Sequence, residues 1–356
     1  MPQSFQADWT DSLLERAGDV TRRYQAAGYF PTASVRVFDR EGTLAHFTVG
    51  DAREDTLFDV ASLTKIATGT MVLMEIDRGN IALQAPIGTY FGEIRDDAYL
   101  SGRLKDVTVF QLLTHTSTLV DWYPFYVQKG KDFFAALKIA LQTTKPTVGM
   151  VYSDLNFMLL GKLIERVSGL PLDEALQALL VKPLGLGNML YRPDPKRDIV
   201  PTGFGNPTEV GMCAERNLAF NAFRPESEPV RVDTHDGNAY YYFDDVAGHA
   251  GIFAAPLAYE RLCRFYMNTE RPIFLDAQKE HAPTRGLALQ MGPMYPYGCG
   301  HTGFTGTSIW FSREKNIGAI AFTNRLYYKG FLNEHMTGDY RRALHETVLT
   351  LAETLR

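Results

Sequence analysis

The chain predicts an α+β fold, an antiparallel sheet flanked by N- and C-terminal helices and interrupted by an inserted all-helical domain. Three observations lead there. Strand-type alternation is confined to two blocks, one near residues 33–49 and one near residues 299–322. Between them, apolar residues recur at helical spacing with few strand-like runs. The two ends, Trp9–Ala26 and Tyr340–Leu355, carry amphipathic stripes suited to covering a sheet. The predicted division is a discontinuous sheet domain, residues 1–80 and 201–356, around a helical domain, residues 81–200.

In chain order, Leu13, Leu14, Ala17, Val20 and Tyr24 form a helical stripe that ends before Gly28. Ala33–Phe38 and Leu44–Val49 alternate at period two around Asp39-Arg40-Glu41-Gly42, a hairpin signature. Phe58–Thr68 then runs from a β-prone lead-in into a helix that should reach about Arg78 and stop at Gly79-Asn80. Helical segments follow at Val109–Leu113, Phe133–Leu141, Leu155–Val167 and Leu172–Leu180, punctuated by Ser168–Pro171 and Pro183–Gly185. From about Pro201 a Gly/Pro/Asn-rich passage leads to Asp245–Phe253 and a helix beyond Pro256. Thr307–Phe311 and Ile317–Phe322 make a second hairpin turning around Arg313-Glu314.

Composition narrows the function. The chain has 356 residues, 45% of them hydrophobic and 22% charged, with a net charge of −5 and no basic field for nucleic acid or anionic membrane. Cys213, Cys263 and Cys299 are odd in number, widely spaced and outside any Cys-x-x-Cys, which argues for reduced thiols rather than disulfides or zinc. His235-Asp236 and His249 are too far apart for a short metal motif and read as hydrogen-bonding histidines. No apolar run reaches membrane-spanning length, and Met1–Asp8 lacks the basic and apolar regions of a leader, so the expectation is a cytoplasmic protein without metal or cofactor. Oligomeric state is not legible.

Three stretches carry chemistry. Ser62 falls where a helix begins and Lys65 one turn on, on the same face. Free N–H groups at a helix start favour the anion formed in acyl transfer, and burial would lower the lysine pKa until a neutral amine accepts the serine proton. The spacing alone is not decisive, because Ser312-Arg313-Glu314-Lys315 repeats it in a turn, and Ser62 also suits a helix cap. Tyr152, delivered by a loop to the start of a helix, reads as a proton shuttle or as a packed aromatic. Gly298–Ser308 is a glycine-rich strand start, either a bulged edge or a backbone approached closely by ligand. Cys299, two residues from His301, reads as a buried thiol rather than a nucleophile.

Taken together and in this order, these stretches resemble the serine β-lactamase and penicillin-binding-protein superfamily, closest to its class C β-lactamase, D-alanyl-D-alanine carboxypeptidase and family-VIII esterase branch. Ser62-Leu63-Thr64-Lys65 matches its Ser-x-x-Lys element, Tyr152-Ser153-Asp154 its Tyr-x-Asn element, and His301-Thr302-Gly303 its Lys/His-Thr-Gly element. Leu112–Ser117 and Val246–Gly251 also look like family stretches. The resemblance implies a β-lactamase/transpeptidase-like fold, Ser62 as nucleophile, and Lys65 and Tyr152 handling its proton. It also implies an oxyanion hole from the N–H groups of Ser62 and Phe304, and a substrate site with Asp154, His301, Thr302 and Gly303 between sheet and helices.

Departures from the pattern shape the functional expectation. Asp154 stands in place of asparagine, an acceptor for a donor, and is able to pair with Lys65 instead of a substrate carbonyl. His301 replaces the lysine of many β-lactamases and would be a cation only part of the time near neutral pH. Leu155 breaks the Ser-Asp-Asn triplet of class A, and that class's deacylating glutamate has no convincing partner here. Antiparallel pairing in the second hairpin places Arg325 near Phe304, where it would hold a substrate carboxylate or face solvent. The expected activity is that of an esterase or D-amino-acid peptidase acting on a small-molecule ester, amide or β-lactam, with weak or no β-lactamase activity. A penicillin-binding sensor that hydrolyses poorly and an acyltransferase are the alternatives. Trp122–Tyr126 and Tyr240–Tyr242 are expected near the pocket or in ordinary packing.

Overall fold

The computed structural model describes residues 3–328 and 334–355. Helix α1 (Gln3–Ala26) precedes a hairpin of β1 (Ala33–Phe38) and β2 (Thr43–Val49), and α2 (Thr64–Asp77) follows. The helical stretch contains α3 (Asp154–Ser168), and beyond it lie α4 (Pro207–Glu215) and α5 (Pro256–Asn268). Strands β3 (Cys299–Thr302), β4 (Ser308–Ser312) and β5 (Ile317–Thr323) then lead to the closing helix α6 (Glu334–Leu355). Among the described helices none is long and apolar enough to cross a membrane.

The sheet runs β2-β1-β5-β4-β3, antiparallel throughout, so the first and last strand blocks meet in its centre. Period-two alternation decides which helix layer each residue meets. Val35, Val37, Ala319 and Ala321 point to one face, where Leu13, Ala17 and Val20 of α1 pack with Tyr340, Leu344 and Val348 of α6. Phe38, Ile320 and Phe322 point to the other, against Tyr259, Leu262 and Cys263 of α5 and the helical core beyond. Arg36 shares that second face, and its buried guanidinium is matched by Glu260 of α5 at 2.6 Å.

Three local features depart from the expectation. The glycine- and proline-rich passage contains helix α4, with Pro207 at its first turn. Leu172–Leu180 begins as α-helix but continues through Leu176–Val181 as a π-helical turn. Finally, the stretch read as helical supplies Met189–Leu190, which joins Phe58–Asp59 and Phe253–Ala254 in a small three-stranded sheet. That small sheet fixes the lead-in to α2.

Helices α2 and α3 are held together by the turn at residues 245–251. Thr68 of α2 donates to the Gly248 carbonyl at 2.8 Å, and a Cβ at Gly248 would come within 2.1 Å of the Phe157 carbonyl of α3. Only glycine fits between the two helices there. This brings the first turns of α2 and α3 to one place at the end of the sheet.

Candidate active site

Ser62 lies in a single 3-10 turn, Ala61–Leu63, between Phe58–Asp59 and α2. Ala61 has φ of 47°, left-handed backbone that a residue with a Cβ seldom adopts. Asp59 holds the turn: one carboxylate oxygen accepts from the Ala61 N–H and the other from the His235 N–H, both at 2.8 Å. Burial still pushes the Asp59 carboxyl up to about 6. From the other side the loop after β3 locks in, as the Thr305 and Thr307 hydroxyls donate to the Asp59 and Val60 carbonyls. A Cβ at Gly303 would meet Val60 O at 2.5 Å and Thr307 Oγ1 at 2.1 Å, so this approach requires glycine.

Lys65 is wholly buried on the first turn of α2. Its Nζ donates to Ser62 Oγ at 2.8 Å and to the His249 carbonyl at 3.2 Å, and pairs with Asp154 Oδ1 at 2.8 Å. An ammonium has three N–H donors, and these acceptors, with the Tyr152 hydroxyl as a further partner, are enough to occupy all three. Burial pulls Lys65 down, but the Asp154 charge, followed by Tyr152, outweighs it and holds the lysine above its ordinary range. The expected neutral amine beside Ser62 is therefore corrected to an ammonium. The cause is the acid at position 154, whose pairing with Lys65 was anticipated.

Tyr152 precedes α3, its backbone set by Ser153, whose N–H donates to His115 Nδ1 at 3.0 Å and whose hydroxyl donates to the Val120 carbonyl. Its ring has two cations near it, Lys65 Nζ at 4.9 Å and Arg285 Cζ at 5.0 Å from the centroid. His115 and His301 flank it at 4.7 and 5.8 Å. His301 is a neutral imidazole rather than a part-time cation. Burial, then the charges of Arg285 and Lys65, holds it well below the usual histidine range. Its Nδ1 donates to the Thr302 carbonyl at 2.8 Å, since a carbonyl only accepts.

A cation near Tyr152 and His301 that the sequence reading missed is Arg285. It is 7% exposed, its Nε meets no hydrogen-bond partner, and no acid pairs with it among the described residues. Arg325 does lie beside Phe304, through the loop after β3 rather than a neighbouring strand, because β4 separates β5 from β3. Its Nε donates to the Phe304 carbonyl at 2.6 Å and its guanidinium covers the Phe304 ring at 4.7 Å.

Ser62, Tyr152 and Phe304 border two lobes of one cleft. One, about 450 Å³, is lined by Arg285, His301, Thr302, Gly303, Arg325 and Arg341. The other, about 510 Å³, is lined by Trp122, Asp154, Glu209, Met212, His235 and Asp236. The N–H groups of Ser62 and Phe304 meet no acceptor among the described residues. Of the aromatic runs, Trp122 reaches the cleft, while Tyr126 and Tyr241 pack with Phe220 and Phe223 behind it.

Other candidates are accounted for by packing. Asp154, Asp236 and His249 do come within 4.8 Å of one another, but the Lys65 ammonium already pairs with Asp154 and the His249 carbonyl there. Against burial, His249 holds Asp236 down to about 2 across a 3.1 Å contact. The three cysteines are buried free thiols, and burial pushes Cys299 far from thiolate formation.

A family model described as Beta-lactamase matches residues 18–339. An N-acetylmuramyl-L-alanine amidase of Bacillus subtilis (strain 168) is 29% identical over 310 residues, 76% of this chain and 68% of that protein. Esterase EstB of Burkholderia gladioli is 35% identical over 178 residues, 45% of each. The solved structure of a β-lactamase/D-alanine carboxypeptidase from Yersinia pestis shares the fold with TM-score 0.68 at 19% identity, covering 95% of this chain and 98% of that one.

Proposed function

The chain belongs to the β-lactamase family, and from that premise we propose that it is a serine hydrolase whose Ser62 Oγ is acylated by an ester or amide and freed by water. The observation that carries this reading is the buried contact of 2.8 Å between Lys65 Nζ and Ser62 Oγ, opening on a cleft.

Because the Lys65 N–H groups are occupied, its role here is to orient Ser62 and supply positive charge. Tyr152 relays the proton. As the Ser62 Oγ–carbon bond forms, the hydroxyl proton passes to the Tyr152 oxygen while the phenol's own proton passes to the leaving oxygen or nitrogen, whose bond to carbon breaks and leaves the phenol restored. Lys65 and Arg285, both within about 5 Å of the ring centroid, favour negative charge developing there. The Ser62 and Phe304 N–H groups receive the carbonyl oxygen of the tetrahedral intermediate. Water then repeats the sequence on the acyl-enzyme.

Arg285, with Thr302 beside it in the same lobe, suits a carboxylate on the leaving group, as in a peptide ending in a D-amino acid. Asp154, committed to Lys65, offers no donor to the acyl-amide carbonyl of a β-lactam. Esterase or D-peptidase activity is therefore favoured over β-lactamase activity. Turnover of a short-chain p-nitrophenyl ester, a D-Ala-D-Ala peptide and a penicillin by wild type and Ser62→Ala tests this. Ester or peptide turnover above penicillin turnover, lost in the variant, is expected. Equal turnover by both proteins would remove Ser62 from the mechanism.

A further inference from the structure

The lobe across Ser62 from the arginines has a chemistry that the hydrolase reading leaves unused. Its lining contains four carboxylates, Asp121, Asp154, Glu209 and Asp236, and no lysine or arginine. The Lys65 ammonium paired with Asp154 offsets part of this charge, and the guanidinium groups of Arg216 and Arg325 lie behind the Trp122 and Phe304 rings of the lining. A cleft lined by one sign of charge concentrates the opposite sign within it.

Glu209 gives this lobe a specific acceptor. It stands in the first turn of α4 and is 7% exposed. Oε1 accepts from the Gly237 N–H at 3.0 Å and from Asn206 Nδ2 at 3.3 Å. Oε2 is buried and has no hydrogen-bond partner among the described residues. Buried polar atoms in native proteins are nearly always paired, and one left unpaired beside a cleft has room for a donor from a water or from a ligand. Asp154 and Asp236, by contrast, are engaged by Lys65 and His249.

We propose that this lobe binds a primary ammonium on the acyl half of the substrate, with Glu209 as its principal acceptor. The substrate class is then an amino-acyl ester or amide with a free amine. Combined with Arg285 on the leaving side, the preferred substrate is zwitterionic along the cleft. This deepens the hydrolase reading and rests on it. An N-acylated substrate would bring neither the charge nor the three N–H donors that the lobe is built to accept.

The test uses glycyl, D-alanyl, β-alanyl and 4-aminobutyryl p-nitroanilides with their N-acetyl counterparts, at about pH 8, above the raised Glu209 carboxyl. At least one free amine should exceed its N-acetyl partner in kcat/KM by about ten-fold or more, and Glu209→Gln should cut that ratio several-fold. Ser62-dependent turnover with equal or better use of every N-acetyl partner would overturn the lobe assignment while leaving the hydrolase standing. Calorimetric binding of the same pairs to Ser62→Ala reads the lobe without chemistry. Tighter binding of a free amine supports the proposal even if no substrate is turned over, and equal or weaker binding overturns it. Should Glu209→Gln fail to fold, the wild-type and Ser62→Ala comparisons decide alone.

Discussion

The two lobes beside Ser62 are opposite in sign yet similar in construction. In the arginine lobe, most charges hold the scaffold: Arg341 donates to the Gly303 and Thr307 carbonyls, and Arg325 to that of Phe304. In the carboxylate lobe, Asp154 and Asp236 are taken by Lys65 and His249. Among the described residues, Arg285 Nε on one side and Glu209 Oε2 on the other are buried without a hydrogen-bond partner, as is the Nε of Arg341, whose other nitrogen is held by the scaffold. The comparison teaches that a count of charges would misjudge the cleft, because most of them build its walls, while Arg285 and Glu209 are the ones the proposals above assign to a ligand.

The largest effect that would sharpen this contrast is on the arginine side. We expect Arg285→Met to lower kcat/KM for substrates with a leaving-group carboxylate by about a thousandfold, about 4 kcal/mol. Neutral esters should lose far less, and equal losses on both would dissolve the distinction between Arg285 and its neighbours. On the other side, burial and then Asp236 push Glu209 up to about 7 from an ordinary 4.5. The unfolded carboxylate therefore ionises first, and stability should fall as pH rises from about 4.5 to about 7, by at most about 3 kcal/mol. Chemical denaturation of Glu209→Gln should lack that slope; parallel curves would mean the carboxyl is solvated.

Smaller effects separate the committed charges. Asp154→Asn removes the group that outweighs burial at Lys65, so the lysine pKa should fall and the limb of the pH–rate profile assigned to it should move to lower pH. Penicillin acylation should rise about ten-fold, as an amide donor replaces the carboxylate. An unmoved limb would mean that Asp154 does not set the lysine charge. Arg325→Lys should change ester turnover only about three-fold and leave carboxylate selectivity intact, because its Nε is committed to the Phe304 carbonyl and its guanidinium covers that ring. Loss of that selectivity would transfer the anchoring role from Arg285 to Arg325.

Legibility in the sequence followed the range of the physics involved. Both hairpins and both terminal helices were readable because period-two and helical stripes are local, and Ser62, Lys65 and Tyr152 carried motif spacing. The pairing of Asp154 with Lys65 followed from replacing a donor by an acceptor. The charge on Lys65 did not, since it depends on burial set against a carboxylate nearly ninety residues away. Arg285 had no motif; the bridge between Gln290 and Gly300 carries its loop to the edge strand β3. Helix α4 was hidden by composition, although Asn206-Pro207 is a recognisable helix start. The two-residue strands around Phe58–Asp59 are too short to show a period.

The most direct measurement is the intact mass of the protein, acid-quenched within milliseconds of mixing with a p-nitrophenyl ester, followed by peptide mapping. The expected result is a transient mass increase equal to the acyl group, located on Ser62, decaying with ester turnover and missing in Ser62→Ala. An adduct on another residue, or the same adduct in Ser62→Ala, would contradict the acyl-enzyme.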